Sequence, residues 1–382
     1  MRGALAAFRL VGVWLRGAPL AISALALVVA IASFLATAAP LWFDRTSEST
    51  LASLLQDAPA GGSSLEFEET GNLGALVGDS GHSLDAVTAE EQHLLGQVPA
   101  SIAGGLGPPV TVIDSVEFLA LQAPQPTTYL TLRIEPEMAD AIHFYDGRAP
   151  SGQVTFEPND IGFGQVAVFE IALSRATADA LLVKVGDKFN TTHISARGIS
   201  QVNGYMRAVV VGLFDVDAND PRWFDDHTLD TPSIRRITAE KFDYHAIALL
   251  SPDAYDPLVF GPPAEVLRYR WRFPVDPARP AAVGVDPFST DLGKLERAFP
   301  FRAGASLPGV AGLSTGLTPI LDRYRSQRAV AATVVSLASV GAIVATAGAL
   351  ALLVGAVRRR RASTVRLARA RGASLTRLVG IG

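Results

Sequence analysis

The residues of this chain that best suit metal chemistry lie in one acidic stretch. Asp215, Asp217 and Asn219 alternate along the chain, and Asp226 is the twelfth residue counted from Asp215. Oxygen ligands at such positions bind Ca²⁺ in EF-hand loops, which need glycine at position six and glutamate at position twelve. Here Asp220 stands at position six and aspartate at position twelve. The four residues are therefore a calcium candidate, and a solvated acidic loop is the favoured interpretation.

Residues for covalent or cofactor chemistry are scarce. The chain has no cysteine, which excludes thiol catalysis and Cys-ligated zinc. Its six histidines form no H-E-x-x-H pattern, and no G-x-x-x-x-G-K-[ST] loop is present for a nucleotide. Ser174 lacks the G-x-S-x-G surroundings of a nucleophile and is expected to cap a helix. The sequence therefore predicts no enzyme and no cofactor, and it places ATP hydrolysis in a separate subunit.

The charges of the chain are sorted by position. All 37 acidic residues lie between Asp44 and Asp322, whereas 11 basic residues and no acid lie outside residues 44–328. A bilayer imposes such sorting, because short cytoplasmic flanks retain arginine while a large domain can cross with either sign. The acidic middle argues against nucleic acid as a partner. The basic ends favour membrane lipids or a docking protein.

Two uncharged apolar stretches, residues 17–43 and 329–357, separate the acidic middle from the basic ends. About 20 apolar residues suffice to cross a bilayer core, so each stretch is predicted to be a transmembrane helix. A cleaved signal peptide is the alternative for the first stretch. Small residues recur every four positions in the second stretch, at Gly341, Ala345 and Ala349. This spacing lets another helix pack closely, or it reflects a chain rich in alanine and glycine.

The pattern of residues 44–328 predicts a mixed α/β domain. Alternating or β-branched stretches predict strands at residues 128–134, 206–214, 244–250 and 267–275. Helices are predicted at residues 44–57, after Ser174, at residues 289–298, and from Thr315 into the second apolar stretch. Residues of about 150–240 are expected to form a β-rich insertion.

Together these features predict a membrane protein with two transmembrane α-helices that flank a large extracytoplasmic α+β domain. Both termini are then cytoplasmic, and the protein is located in the cell membrane as a multi-pass protein. The predicted segments are a cytoplasmic N-terminus at 1–16, a first helix at 17–43, the outer domain at 44–328, a second helix at 329–357, and a basic cytoplasmic segment at 358–382.

Three segments and this layout resemble the FtsX/MacB-like permease family of ABC transporters. The segments are VFEIALSRATADALLVKVGDKF (168–189), VVVGLFDVDANDPRW (209–223) and RRRRASTVRLARARGASLTRLV (358–379). The resemblance implies a MacB-like periplasmic core for the outer domain. It also implies a chain that ends at Gly382 before further membrane helices.

In that family, the last segment forms a coupling helix that rests on the ATPase. The resemblance therefore implies an ATPase-coupling role for Arg366, Leu367, Arg369, Arg371, Gly372, Ala373 and Ser374. A basic amphipathic helix that lies on the membrane surface is the alternative for this segment.

The resemblance implies that the chain is a permease subunit of an ABC-type transporter or mechanotransmission complex. Such a subunit passes ATPase-driven motion to its outer domain. The expected partners are an ABC ATPase subunit, a second permease copy or homologous half, and membrane lipids. The alternative, from a different class, is a membrane-anchored extracytoplasmic binding or sensor protein that has no motor.

Overall fold

The computed structural model describes the following residues: 27, 29–30, 34, 49–73, 83–121, 123–125, 127–159, 164–195, 198–199, 206–217, 220–224, 226–260, 266–300 and 310–370. The chain divides into two compact units. One comprises Met1–Thr50 and Arg323–Gly382, and the other comprises Leu51–Asp322.

A single mixed sheet organises the unit Leu51–Asp322. Fourteen strands of the described residues belong to it: β1 (Ser64–Gly71), β2 (Val110–Asp114), β3 (Phe118–Leu121), β4 (Thr128–Ile134), β5 (Ile142–Gly147), β6 (Thr155–Pro158), β7 (Gln165–Ser174), β8 (Lys188–Ser195), β9 (Gly198–Ile199), β10 (Met206–Val216), β11 (Ser233–Arg236), β12 (Phe242–Leu249), β13 (Leu267–Pro274) and β14 (Gly312–Thr315).

The strands follow the order β11-β12-β7-β10-β8-β3-β4-β2-β13-β1-β14, and β12 also pairs with β4. Strands β5, β6 and β9 extend β10, β7 and β8. The pairs β10–β7 and β12–β4 are parallel, whereas β13 is antiparallel to both β1 and β2. Strands β6 to β11, which include most of the predicted β-rich insertion, lie in the same sheet as the strands on either side of them.

Helices fill the connections between these strands. They are α1 (Ser83–Gln97), α2 (Ala100–Ala103), α3 (Arg175–Leu181), α4 (Tyr255–Phe260), α5 (Arg279–Val283), α6 (Val285–Ala298) and α7 (Leu317–Ala370). Residues 49–56 are also helical. Short 3₁₀ turns occur at Ala60–Ser63, Pro136–Ala141, Pro221–Trp223 and Pro252–Ala254.

Local signals in the sequence predicted several of these strands and helices. The predicted strand at 128–134 is confirmed as β4, and the alternating stretch at 267–275 is confirmed as β13. Ser174 is confirmed as an N-cap, because its Oγ accepts a hydrogen bond from the backbone N–H of Thr177 at 3.1 Å. The helix predicted from Thr315 into the second apolar stretch is confirmed as α7, which begins at Leu317.

Strand β13 separates two chemically different faces of the sheet. Its odd-numbered residues Leu267, Tyr269, Trp271 and Phe273 are fully buried. Its even-numbered residues between them are Arg268, Arg270 and Arg272. Side chains alternate across a strand, so one face of β13 is aromatic and the other is cationic.

The prediction of two transmembrane helices that flank an α+β domain is wrong. The architecture is a large mixed sheet, and among the described residues only Leu317–Leu352 is long and apolar enough to cross a membrane. The predicted span 17–43 lies outside the described residues except for Leu27, Val29, Ala30 and Phe34, which are helical and exposed.

The multi-pass topology, the cell-membrane location derived from it and the description as a multi-pass ABC permease are corrected for the same reason. A topology with both termini cytoplasmic and residues 44–328 extracytoplasmic requires two crossings, whereas the described residues offer one candidate helix. The physical reason for the error is that charge sorting reports where acidic side chains are absent. It does not count how many apolar segments cross a bilayer.

Candidate functional site

The arginines of β13 face charged residues from three neighbouring strands. Across the β13–β1 pairing, Arg272 lies opposite Glu66. Across the β13–β2 pairing, Arg268 lies opposite Asp114, which in turn lies opposite Arg133 of β4. Residues that oppose each other in paired strands point to the same face. The register of these strands therefore gathers the charges into one cluster.

Asp114 lies at the centre of this cluster and joins two arginines. Arg133 donates from Nε to Asp114 Oδ1 at 2.6 Å and from Nη2 to Asp114 Oδ2 at 3.1 Å. Arg270 donates from Nη2 to Asp114 Oδ2 at 2.7 Å. The side chains of Arg133 and Asp114 are only 3% and 6% exposed. Two parallel bonds from a planar guanidinium fix both partners, so this part of the cluster is rigid.

Asp226 provides a second carboxylate from a loop that packs on the same face. Its Oδ2 atom accepts from Arg272 Nη2 at 2.8 Å, from Arg270 Nη1 at 3.3 Å and from Arg133 Nη1 at 3.4 Å. Arg272 also donates to Glu66 Oε2 at 2.6 Å. The loop is held by Trp223, Phe224 and Leu229, which belong to the hydrophobic core on this face.

Burial and charge act against each other on the acids of the cluster. Burial raises the pKa of Asp114 and of Asp226, but the neighbouring arginines outweigh it, so both pKa values lie below their usual range. Glu135 is different, because burial raises its pKa to about 7 despite the opposing charge of Arg133. Its Oε1 atom accepts from Arg133 Nη1 at 3.2 Å, whereas its Oε2 atom is buried and has no hydrogen-bond partner among the described residues.

A cleft with a volume of ≈ 470 Å³ opens above the cluster. Its lining residues are Asp114, Ser115, Val116, Glu117, Thr131, Arg133, Phe224, Asp226, Thr228, Ile247, Arg268, Arg270 and Arg272. Arg268 is exposed there and forms no ion pair or hydrogen bond with any residue that the structure describes. The Nε atom of Arg270 is buried and has no hydrogen-bond partner within the described ranges either. The guanidinium of Arg268 therefore offers donors to the cleft that the described residues do not use.

A second polar group is built around Glu117, which also lines the cleft. His245 Nδ1 and Glu117 Oε1 are 2.8 Å apart, and the ring of Tyr129 stacks on His245 with ring centroids 4.8 Å apart. Tyr129 and His245 oppose each other in the parallel β4–β12 pair. Glu117 is half-exposed and lines the cleft.

Two carboxylates of the calcium candidate are occupied by arginine. Asp215 is bound by Arg175 through Nε at 2.8 Å and Nη2 at 2.6 Å, and Asp226 is bound by the cluster. Asn219 lies outside the described residues, and the backbone carbonyl of Asp217 accepts from Trp223 Nε1 at 2.8 Å. No group of three or more His, Cys, Asp or Glu residues in the described ranges could hold a metal ion.

The other predicted site residues are on or beyond α7. Gly341, Ala345 and Ala349 are exposed on this helix, as is Arg366. Leu367 and Arg369 belong to its last turns. Arg371, Gly372, Ala373 and Ser374 lie outside the described residues. The roles in helix packing and in ATPase coupling stay predictions.

Sequence reasoning missed the arginine cluster. The stretch LRYRWRFP was interpreted only as a strand, although it alternates arginine with large apolar residues. The alternation places only arginines on one face of the strand and large apolar residues on the other. This pattern was the signal available in the sequence. Arg133 and Asp114 gave no signal of their own, because their pairing depends on contacts between separate strands.

No match to this chain is found among models of known protein families or among curated protein sequences. The resemblance to FtsX/MacB-like permeases therefore stays a prediction, and the cleft has to be interpreted from its own chemistry.

Proposed function

We propose that this chain is a binding or sensor protein that takes up a small anionic ligand in the cleft above β13. The observation that carries the proposal is the exposed guanidinium of Arg268, which lines the cleft and has no ion pair or hydrogen bond with a described residue. Guanidinium groups bind carboxylate and phosphate through two parallel hydrogen bonds, which gives both affinity and orientation.

The buried cluster supports recognition by fixing the positions of the arginines before a ligand arrives. Arg270 is held by Asp114 and Asp226 and is only 12% exposed. A donor held in this way loses little conformational entropy on binding, so more of the interaction energy appears as affinity. Arg268 lies two residues away on the same face, and no described residue binds its guanidinium, so it can contact the ligand.

Helix α7 supports the membrane-anchored form of this proposal. It contains the single candidate membrane span among the described residues, and its uncharged part begins after Arg328. Its length and composition allow one crossing.

The test is isothermal titration of the full chain in detergent micelles with inorganic phosphate and with acetate, and with acetamide as the uncharged control. We expect at least one anion to bind and acetamide not to bind. Arg268→Ala should weaken the anion ~10-fold or more, because a hydrogen bond to a charged group contributes about 1.5–3 kcal/mol.

Arg235→Ala is the matched control, because Arg235 is also an exposed strand arginine but lies on β11. It should leave the affinity unchanged. The proposal is overturned if the wild-type chain binds neither anion, or if Arg268→Ala and Arg235→Ala bind an anion equally well.

The role as a subunit that transmits ATPase-driven motion stays a second candidate. One observation favours it: α7 runs without interruption for 54 residues from Leu317, which is fully buried, to the basic segment. Changing Arg366, Arg369 and Arg371 together to Glu should then abolish co-purification of an ATPase with the chain. Unchanged recovery of an ATPase would contradict docking at this segment.

A further inference from the structure

We infer that the ligand of the cleft is dipolar, with an anionic group at one end and an ammonium group at the other, as in a short peptide. This inference rests on the proposed anion-binding function and specifies the chemistry of the ligand. It follows from the charged residues that line the cleft but do not form ion pairs with one another.

Most charges that line the cleft neutralise one another. Arg133, Arg270 and Arg272 are bound by Asp114 and Asp226 at distances of 2.6–3.4 Å. Among the described residues, two lining residues have an exposed charged group left over. They are Arg268, which has no partner in the described part of the chain, and Glu117, which makes one bond through Oε1. The two unused groups carry opposite charges.

One oxygen atom of the Glu117 carboxylate is held by His245, and no described residue binds the other. His245 contacts its Oε1 atom at 2.8 Å, and Tyr129 holds the His245 ring by stacking at an interplanar angle of 16°. The Oε2 atom of Glu117 makes no hydrogen bond with any described residue, and the side chain is 51% exposed. This oxygen is therefore available to accept hydrogen bonds from an ammonium group.

The strand pairing and the chain spacing limit how far apart the two groups lie. Arg268 lies opposite Asp114 across the β13–β2 pairing, and Glu117 follows Asp114 by three residues. Three residues span at most ~10–11 Å at ~3.3–3.6 Å per residue. An extended tripeptide is of comparable length, so it is a suitable probe for a ligand that contacts both groups. Thr131 and Ile247, which oppose each other in the β4–β12 pair, line the same cleft.

A ligand that carried only negative charge would approach Glu117 unfavourably. Like charges repel, and the repulsion is less screened in a cleft than in open water. An ammonium group converts this repulsion into attraction while the carboxylate binds Arg268. Charge complementarity in the cleft therefore discriminates dipolar molecules from simple anions.

The experiment compares triglycine with its N-acetylated form and its C-terminal amide, by titration of the full chain in detergent micelles. We expect triglycine to bind, acetylation to weaken binding ~10-fold and amidation to weaken it at least as much, since each removes one charge-assisted contact. Glu117→Gln should abolish the preference for the free amine, and it should strengthen binding of N-acetyl-triglycine, because it removes the charge that repels this anion.

Glu240→Gln is the matched control, because Glu240 is an exposed glutamate in the turn between β11 and β12. It should retain the wild-type preference, and thermal unfolding should verify that both variants fold. Equal affinity of the wild type for triglycine and N-acetyl-triglycine overturns the dipolar ligand, as does a preference that survives in Glu117→Gln.

The same titrations separate this inference from the proposed function. If phosphate or acetate binds through Arg268 but triglycine does not, the dipolar ligand is wrong and anion binding stands. If none of these probes binds, both fail.

Discussion

The two faces of β13 are buried by opposite kinds of chemistry. On one face, Tyr269, Trp271 and Phe273 are fully buried among apolar groups. On the other face, Arg270 and Arg272 are largely buried among carboxylates. Both sets of side chains come from alternate positions of the same eight residues. The comparison shows how one strand can contribute stability on one side and recognition on the other.

The aromatic face is stabilised by apolar contacts, whose energy depends little on the orientation of the groups. The rings of Tyr269 and Trp271 stack with centroids 6.0 Å apart, and Phe67 meets Phe273 edge to face at 6.1 Å. Tyr255 of α4 adds its ring 6.4 Å from Tyr269. Such pairs add to a large buried apolar area, and their energy does not depend on a single partner.

The stability of the cationic face depends on each carboxylate that binds an arginine. Removing a guanidinium from water is costly, and the cost is offset only where carboxylates and hydrogen bonds replace the water. Asp114 and Asp226 provide these replacements for Arg133, Arg270 and Arg272. A network of this kind contributes little net stability but fixes geometry, which is what a recognition site needs.

The largest effect is expected on the aromatic face. Trp271→Ala should lower the free energy of unfolding by ~3–5 kcal/mol, because it leaves a cavity in the ring layer. Trp271→Phe is the control. It keeps an aromatic ring and removes the indole N–H, which is buried and has no partner in the described part of the chain, so it should cost much less. Urea unfolding of the full chain measures both. Equal costs for the two variants would show that packing does not dominate this face.

A comparable loss is expected on the cationic face, but with a different signature. Asp114→Ala should cost ~3–5 kcal/mol, because it leaves Arg133 and Arg270 buried with fewer carboxylates. Adding Arg133→Met should recover part of this loss, and the coupling energy of the double-mutant cycle should be ~1–3 kcal/mol.

If the changes in unfolding free energy of Asp114→Ala and Arg133→Met add strictly in the double variant, the two residues do not act as one network. Such additivity would mean that Arg133 and Asp114 stabilise the fold through separate contacts.

The difference between the faces also explains what could be predicted from the sequence. Strands such as β4 and β13 followed from alternation, and the cap at Ser174 followed from residue type at a helix start, because both signals are local. The cationic face was missed because its pairs join distant positions. Asp114 is 19 residues from Arg133 and 156 residues from Arg270 along the chain. Only the register of β2, β4 and β13 brings them together.

The membrane prediction failed for a related reason. Hydropathy and charge are summed along the chain, and they identified the apolar part of α7 correctly as a candidate span. The same sums cannot show that residues 51–322 form one sheet in which distant strands pair. Nor do they establish a second crossing.

The smallest expected effect concerns one acid on each face. Burial raises the pKa of Glu135, on the cationic face, to about 7. Burial and the charge of Glu90 raise the pKa of Glu69, on the aromatic face, to about 7 as well. The folded state then binds protons between pH ~4.5 and ~7 that the unfolded state has released. Stability is therefore full below this window, falls as the pH rises through it, and stays lower above pH ~7.

The comparison of Glu135→Gln with Glu69→Gln tests whether the arginines change this pH dependence of stability. Each variant should lose less stability than the wild type between pH 5 and pH 8, by up to ~3 kcal/mol for Glu135→Gln, since one pKa unit corresponds to about 1.4 kcal/mol. Urea unfolding at both pH values measures the difference. If Glu135→Gln keeps the full wild-type dependence while Glu69→Gln does not, Arg133 holds Glu135 ionised in the folded state. The cationic face would then be a fully charged network, and its electrostatic contrast with the aromatic face would be larger than the pKa of Glu135 implies.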